Sequence, residues 1–102
     1  MKTATTAIAL ISLFTSAHAL AASDINRTIV SLGSQDTGYV QVTPALSQPC
    51  KFSTVYLPDL SRPNAKGMMA VLLSAQARGA LVALTYDIDV NGICTANTVS
   101  AQ

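Results

Sequence analysis

Apolar residues recur every third or fourth position across 64–79, NAKGMMAVLLSAQARG, and on alternate positions through much of the remaining chain. The first period predicts an α-helix. Pro63 suits the first helical position, where its fixed φ and missing N–H cost nothing, and Ser61 is the candidate cap. Gly79 stands where a left-handed residue closes a helix, and Arg78 faces the negative end of the dipole. The apolar arc is Ala65, Met68, Met69, Leu72, Leu73 and Ala75, with Gln76 at its edge. The opposite arc, Lys66, Ala70, Ser74, Ala77 and Arg78, is thinly charged and mostly small. Gly67 costs about 1 kcal/mol relative to alanine in a helix interior.

The second period predicts strands. Residues 27–33, RTIVSLG, are β-rich and stop at the turn cluster 34–38. Tyr39 to Thr43 alternates with Val40 and Val42 inward, and Pro44 ends it. Lys51 to Leu57 is a third strand, with either Phe52, Thr54 and Tyr56 or Ser53, Val55 and Leu57 facing in. Leu81 to Val90 places Val82, Leu84, Tyr86, Ile88 and Val90 on one face, and Thr85, Asp87 and Asp89 on the other. Asn91-Gly92 predicts a type I′ hairpin, Ile93 to Val99 the last strand, and Ser100 to Gln102 a frayed end. The order β-β-β-α-β-β is mainly β with one helix and points to a five-stranded OB-fold-like barrel. An open sheet with one covering helix and a small sandwich are the other architectures of this order.

The start of the chain changes the compartment. Met1-Lys2, the uncharged run 4–14 and Ser16-Ala17-His18-Ala19 together make a secretory signal peptide, too short to span a bilayer. Cleavage is expected after Ala19, with Ala21 as the alternative, leaving one domain, 20–102, secreted or periplasmic and without a membrane span. Once Lys2 and His18 leave with the leader, Arg27, Lys51, Arg62, Lys66 and Arg78 balance Asp24, Asp36, Asp59, Asp87 and Asp89. A neutral chain is a poor nucleic-acid binder and has little to oppose self-association. The flat strip Ala70, Ser74, Ala77 is the expected oligomer contact, because small residues let a second copy approach closely.

So small a domain buries little, and Cys50 and Cys94, an even pair in an exported chain, read as a disulfide. Closing a loop of about 45 residues contributes about 4 kcal/mol in the chain-entropy account. Zinc would lack ligands with two Cys and no His. Without His in the mature chain there is no base for a nucleophilic serine, so no enzyme, metal or cofactor is expected. Asp87-Ile88-Asp89-Val90-Asn91-Gly92 copies half a calcium loop, but Thr98 stands where a bidentate Glu is required, and a hairpin explains every residue. Asn26-Arg27-Thr28 matches a glycosylation acceptor. Tyr39, outward beside Gln41 and Thr43, offers a sugar an apolar stacking surface with polar edges, and Phe52 and Tyr56 share a face that is either core or a second platform.

The run from Ala65 to Gly79, followed at once by a strand and framed by two cysteines, resembles small secreted bacterial OB-fold proteins. These are similar to the B subunit of subtilase cytotoxin, an AB5-type toxin. The resemblance implies a ring pentamer that binds cell-surface glycans and carries a toxin A subunit. It also implies helices gathered around the ring's pore, and an Asp and a Ser near the first strand on the glycan. The matching positions are Asp24 and Thr28. Two function classes follow: an exported binding module for a glycan or a cell-surface protein, or a structural, accessory envelope protein with a protein partner and no glycan.

Overall fold

The computed structural model describes residues 20–102, so the expected leader, 1–19, lies outside the described residues. Along the chain the elements are β1 (Leu20–Ser34), β2 (Gly38–Thr43), a 3-10 turn (Lys51–Ser53), β3 (Val55–Tyr56), α1 (Pro63–Arg78), β4 (Val82–Ile88) and β5 (Cys94–Ala101). The strands close on themselves in the order β1-β2-β3-β5-β4, so β4 and β5 exchange places relative to chain order. Among the described residues only the β3–β5 pairing is parallel.

Ring closure depends on β1, which is twice the expected length and serves two neighbours. Leu20 to Asp24 and Arg27 pair with β4, and Thr28 to Ser34 pair with β2. The register slips between Asp24 and Arg27, with Asn26 at φ 56, and again between Ile29 and Ser31. Each bulge adds one residue to β1, which shifts its in–out alternation by one position, and each bends the strand. Ala22, Ile29 and Leu32 therefore all pack on the core, while Ile25 and Val30 are turned out to solvent.

Inside the ring, Val40, Val55, Leu57, Val82, Leu84, Tyr86, Cys94 and Ala96 are buried together with Met68, Leu72 and Ala75 of α1. The helix packs against β5 and β1. It also crowds Gly38, where an added Cβ would fall 2.7 Å from Met69 Cε and 2.9 Å from Leu57 Cδ1. Pro63 begins the helix and Gly79, at φ 67, ends it by donating to the Ala75 and Gln76 carbonyls. Ser61 does not cap it: Arg62 occupies that position, and the Ser61 amide donates instead to Asp59 Oδ1 at 2.9 Å. The buried face is narrower than expected, namely Ala65, Met68, Leu72 and Ala75. Leu73, turned about 100° from Leu72, is 52% exposed, and Gln76 is exposed. Nothing lies within 4 Å of a Cβ built on Gly67, so packing does not require its glycine.

Four strand boundaries also differ from expectation. The segment 51–57 is not one strand, because Phe52 and Ser53 both take left-handed φ and leave only Val55–Tyr56 paired in the sheet; Val55 and Leu57 face in. Val90 is not on the inner face but 83% exposed, beyond the end of β4. The hairpin is a three-residue loop rather than a type I′ turn: Gly92 N–H donates to the Asp89 carbonyl, Asp89 N–H to Ile93, and only Gly92 has positive φ. The C-terminus is not frayed, since Ser100 and Ala101 pair with Ala83 and Val82, and the Gln102 amide donates to Leu81.

Cys50 and Cys94 are bonded, with Cα atoms 5.5 Å apart, and join the 3-10 turn to the first residue of β5. Replacing both by alanine is expected to cost about 2–5 kcal/mol, read as a lower midpoint in urea unfolding.

Candidate functional site

The outer face of β1, β2 and β3 carries an open pocket of about 240 Å³ lined by Ser31, Gln35, Tyr39, Gln41, Thr54 and Tyr56. Strand alternation and register assemble it. With Val40 buried, its neighbours Tyr39 and Gln41 face out. Tyr39 stands opposite Tyr56 across β2–β3, and Gln41 opposite Ser31 across β1–β2. Facing side chains of such pairs lie within contact distance, so two phenols and two polar side chains converge on one patch. Gln35 comes from the β1–β2 turn and Thr54 from the residue preceding β3.

Two local features fix the pocket's walls. Gly33 is paired with Tyr39, and a Cβ there would fall 2.6 Å from Tyr39 Oη and 2.8 Å from Cζ, so the ring lies across the bare glycine. Such packing holds the aromatic and covers the glycine. On the other side, Gln41 Nε2 donates to Thr54 Oγ1 at 2.9 Å and to the Phe52 carbonyl at 3.4 Å. Thr54 Oγ1 donates to that same carbonyl at 2.8 Å. None of the lining side chains is charged. The pocket therefore offers hydroxyls, amides and two aromatic rings, which suits a neutral, hydroxyl-rich ligand.

Of the sequence-derived candidates, Tyr39 and Gln41 meet here, while Asp24 and Thr28 do not. Thr28 is exposed on β1, opposite Thr43. Asp24 is only 4% exposed, and its carboxylate is occupied by the protein itself. Oδ2 accepts from Tyr86 Oη at 2.6 Å and from the Ser47 amide at 3.2 Å, while Oδ1 meets Arg27 Nη2 at 3.3 Å. Arg27 also donates to the Ile25 carbonyl, and its Nε is buried without a partner. Burial alone would push the Asp24 carboxyl up, but hydrogen bonds from Ser47 and Tyr86 and the Arg27 charge outweigh it and hold it below its ordinary value. Burial, and then the bond to Asp24, push the Tyr86 phenol up.

Ser31, Gln35 and Thr54 were not legible as site residues, and Tyr56 only as sharing with Phe52 a face that is core or platform. Alternation marked the outward side of β2, but only the inter-strand register brings these four beside it. The helix strip Ala70, Ser74 and Ala77 is exposed, with Arg78 Nε donating to Ser74 Oγ at 3.3 Å. In the calcium-like run, Asp89 Oδ1 accepts from the Asn91 and Ile93 amides and so shapes its own turn. Among the described residues no group of three His, Cys, Asp or Glu side chains is placed to hold a metal. Comparison with family models, with characterised proteins and with solved structures gives no match to this chain.

The lowered Asp24 carboxyl makes a signed prediction. Its contribution is present above the unfolded-state value of about 3.8 and is lost as pH falls through the lower folded value, so Asp24→Asn should flatten the acid side of the stability profile. Tyr86→Phe removes a donor to a buried carboxylate and should cost about 1.5–3 kcal/mol at neutral pH. Chemical unfolding at a series of pH values checks both.

Proposed function

We propose that the chain is an exported, non-catalytic carbohydrate-binding module that holds a neutral sugar ring in the Tyr39–Tyr56 pocket. The observation that carries this reading is the lining itself: two tyrosine rings set among four uncharged hydrogen-bonding side chains. A sugar ring has an apolar C–H face for the phenols and hydroxyls for the amides and alcohols. The cations lie outside the lining: Arg27 is on Asp24, Lys51 is over the Phe52 ring, and Arg62, Lys66 and Arg78 are at or within the helix. A carboxylated or sulfated sugar would find no counter-charge in the pocket.

The spatial order β1-β2-β3-β5-β4, with the helix between β3 and β4, supports an OB-fold, whose second and third strands commonly take oligonucleotides or oligosaccharides. A neutral face favours the sugar. The disulfide supports an oxidising compartment. Leu20 and Ala21 pair with Ile88 and Asp87, so cleavage after Ala19 keeps two rungs that cleavage after Ala21 would remove. Exposed Ala70, Ser74 and Ala77, flanked by exposed Leu73, support self-association through the outer helix face. A ring like that of the AB5 B subunits would multiply a weak single-site affinity and could seat an A subunit.

Binding measured by calorimetry should be detectable for neutral glycans, weaker for their sialylated forms, and insensitive to salt. Tyr39→Ala should weaken it about tenfold or more, and Gly33→Ala, which displaces the Tyr39 ring, should act in the same direction. A folded protein that binds no glycan would leave the accessory-protein reading in its place. Replacing Ala70 and Ala77 by Glu should reduce the mass seen by light scattering without changing the far-ultraviolet spectrum; an unmutated monomer would remove the ring.

A further inference from the structure

Phe52 is a bulky residue at φ 60, ψ 16, followed by Ser53 at φ 53, in a conformation that disfavours any side chain with a Cβ. The turn is nevertheless fixed from every side. Cys50 is bonded to Cys94, the Lys51 amide donates to the Gly92 carbonyl at 2.8 Å, and the Phe52 carbonyl is bound by Gln41 and Thr54. Phe52 is left 69% exposed, with the Lys51 ammonium 5.8 Å from its ring centroid. Strain of this kind persists only where surrounding contacts impose it, and it concentrates at functional positions. Two of the contacts that impose it here come from Gln41 and Thr54, residues of the pocket wall.

We infer that Phe52 is a stacking platform for a second sugar ring, so that the site reads at least a disaccharide. This rests on the carbohydrate reading of the pocket and extends it. The pocket's volume accommodates about one sugar ring, and the Phe52 carbonyl is held by two of its lining residues, Gln41 and Thr54. Phe52 is exposed and is not among the lining residues, so its phenyl lies beside the Gln41–Thr54 wall rather than inside the pocket. One ring would sit between the tyrosines, and the next unit of the chain would pass over Phe52. Lys51 restrains the phenyl while most of the residue remains open to solvent.

The test uses the disulfide-bonded chain from residue 20 to 102, with galactose, glucose and N-acetylglucosamine and their disaccharides lactose, cellobiose and chitobiose. Phe52→Gly is the informative variant, because glycine accepts the left-handed turn and removes only the ring. The disaccharide of the preferred sugar should bind about tenfold more tightly than the monosaccharide. Phe52→Gly should erase that gain and leave the monosaccharide affinity unchanged, while Phe52→Trp should preserve the gain. Upfield ring-current shifts of the second sugar's protons should accompany binding and vanish in Phe52→Gly. An undiminished gain in Phe52→Gly overturns the platform alone. Self-association lost only in Phe52→Gly would assign the ring to a second copy and also overturn it. Absence of binding by all six sugars removes the pocket reading, and the platform with it.

Discussion

The buried carboxylate of Asp24 is the constraint on which the rest of this small structure depends. It lies beside the bulge where β1 leaves β4 and turns toward β2, the crossing that lets one strand close a five-stranded ring. A carboxylate so buried is costly unless its oxygens are bonded, and three partners from different parts of the chain meet it. Tyr86 comes from β4, Ser47 from the loop after β2, and Arg27 from the far side of the bulge. The same interaction therefore bends the strand, fastens the loop and joins two neighbours. Asp24 works through the frame, whereas the proposed sugar contacts lie further along the same strand, at Ser31 and beyond.

The disulfide acts at the opposite side of the ring, where pairing is thinnest. β3 is two residues long and meets β5 only through Val55–Cys94 and Tyr56–Thr95. A cross-link placed on that rung secures the weakest seam and the turn preceding β3. The pocket is thus built on a sheet held at two places by unlike means, a polar cluster at the bulge and a covalent bond at the seam. Between them, Gly33 and Gly38 let Tyr39's ring and the helix come close on opposite sides of the sheet.

Much of the frame was legible in the sequence because it rests on local rules. Pro63 and Gly79 bracket the helix as expected, Val40 and Val42 point to the core, and Val82, Leu84 and Tyr86 line the inner face of β4. What was not legible rests on departures from local rules or on contacts between distant segments. Two bulges in β1 reset the alternation, so Ile25 and Val30 look like core residues and are not. Phe52 and Ser53 are left-handed without a glycine or asparagine to announce it, because long-range hydrogen bonds and a disulfide impose the turn. Tyr39 could be read as outward-facing, but the partners Tyr56 and Ser31 depend on register, which a single strand does not encode. Only the resemblance put Asp24 on a ligand, and nothing near it in sequence identifies Tyr86 as its partner.

The central claim, that the outer face of β1, β2 and β3 is the ligand surface while the Asp24 end of β1 is structural, is tested most directly by mapping backbone amide shifts. Galactose, glucose and N-acetylglucosamine would be titrated in turn into isotopically labelled chain from residue 20 to 102. The account predicts saturable shifts clustered at Ser31, Gln35, Tyr39, Gln41, Thr54 and Tyr56, with the amides of Asp24 to Thr28 unmoved. Shifts centred on Asp24 to Thr28, or none with any of the three sugars, would contradict it.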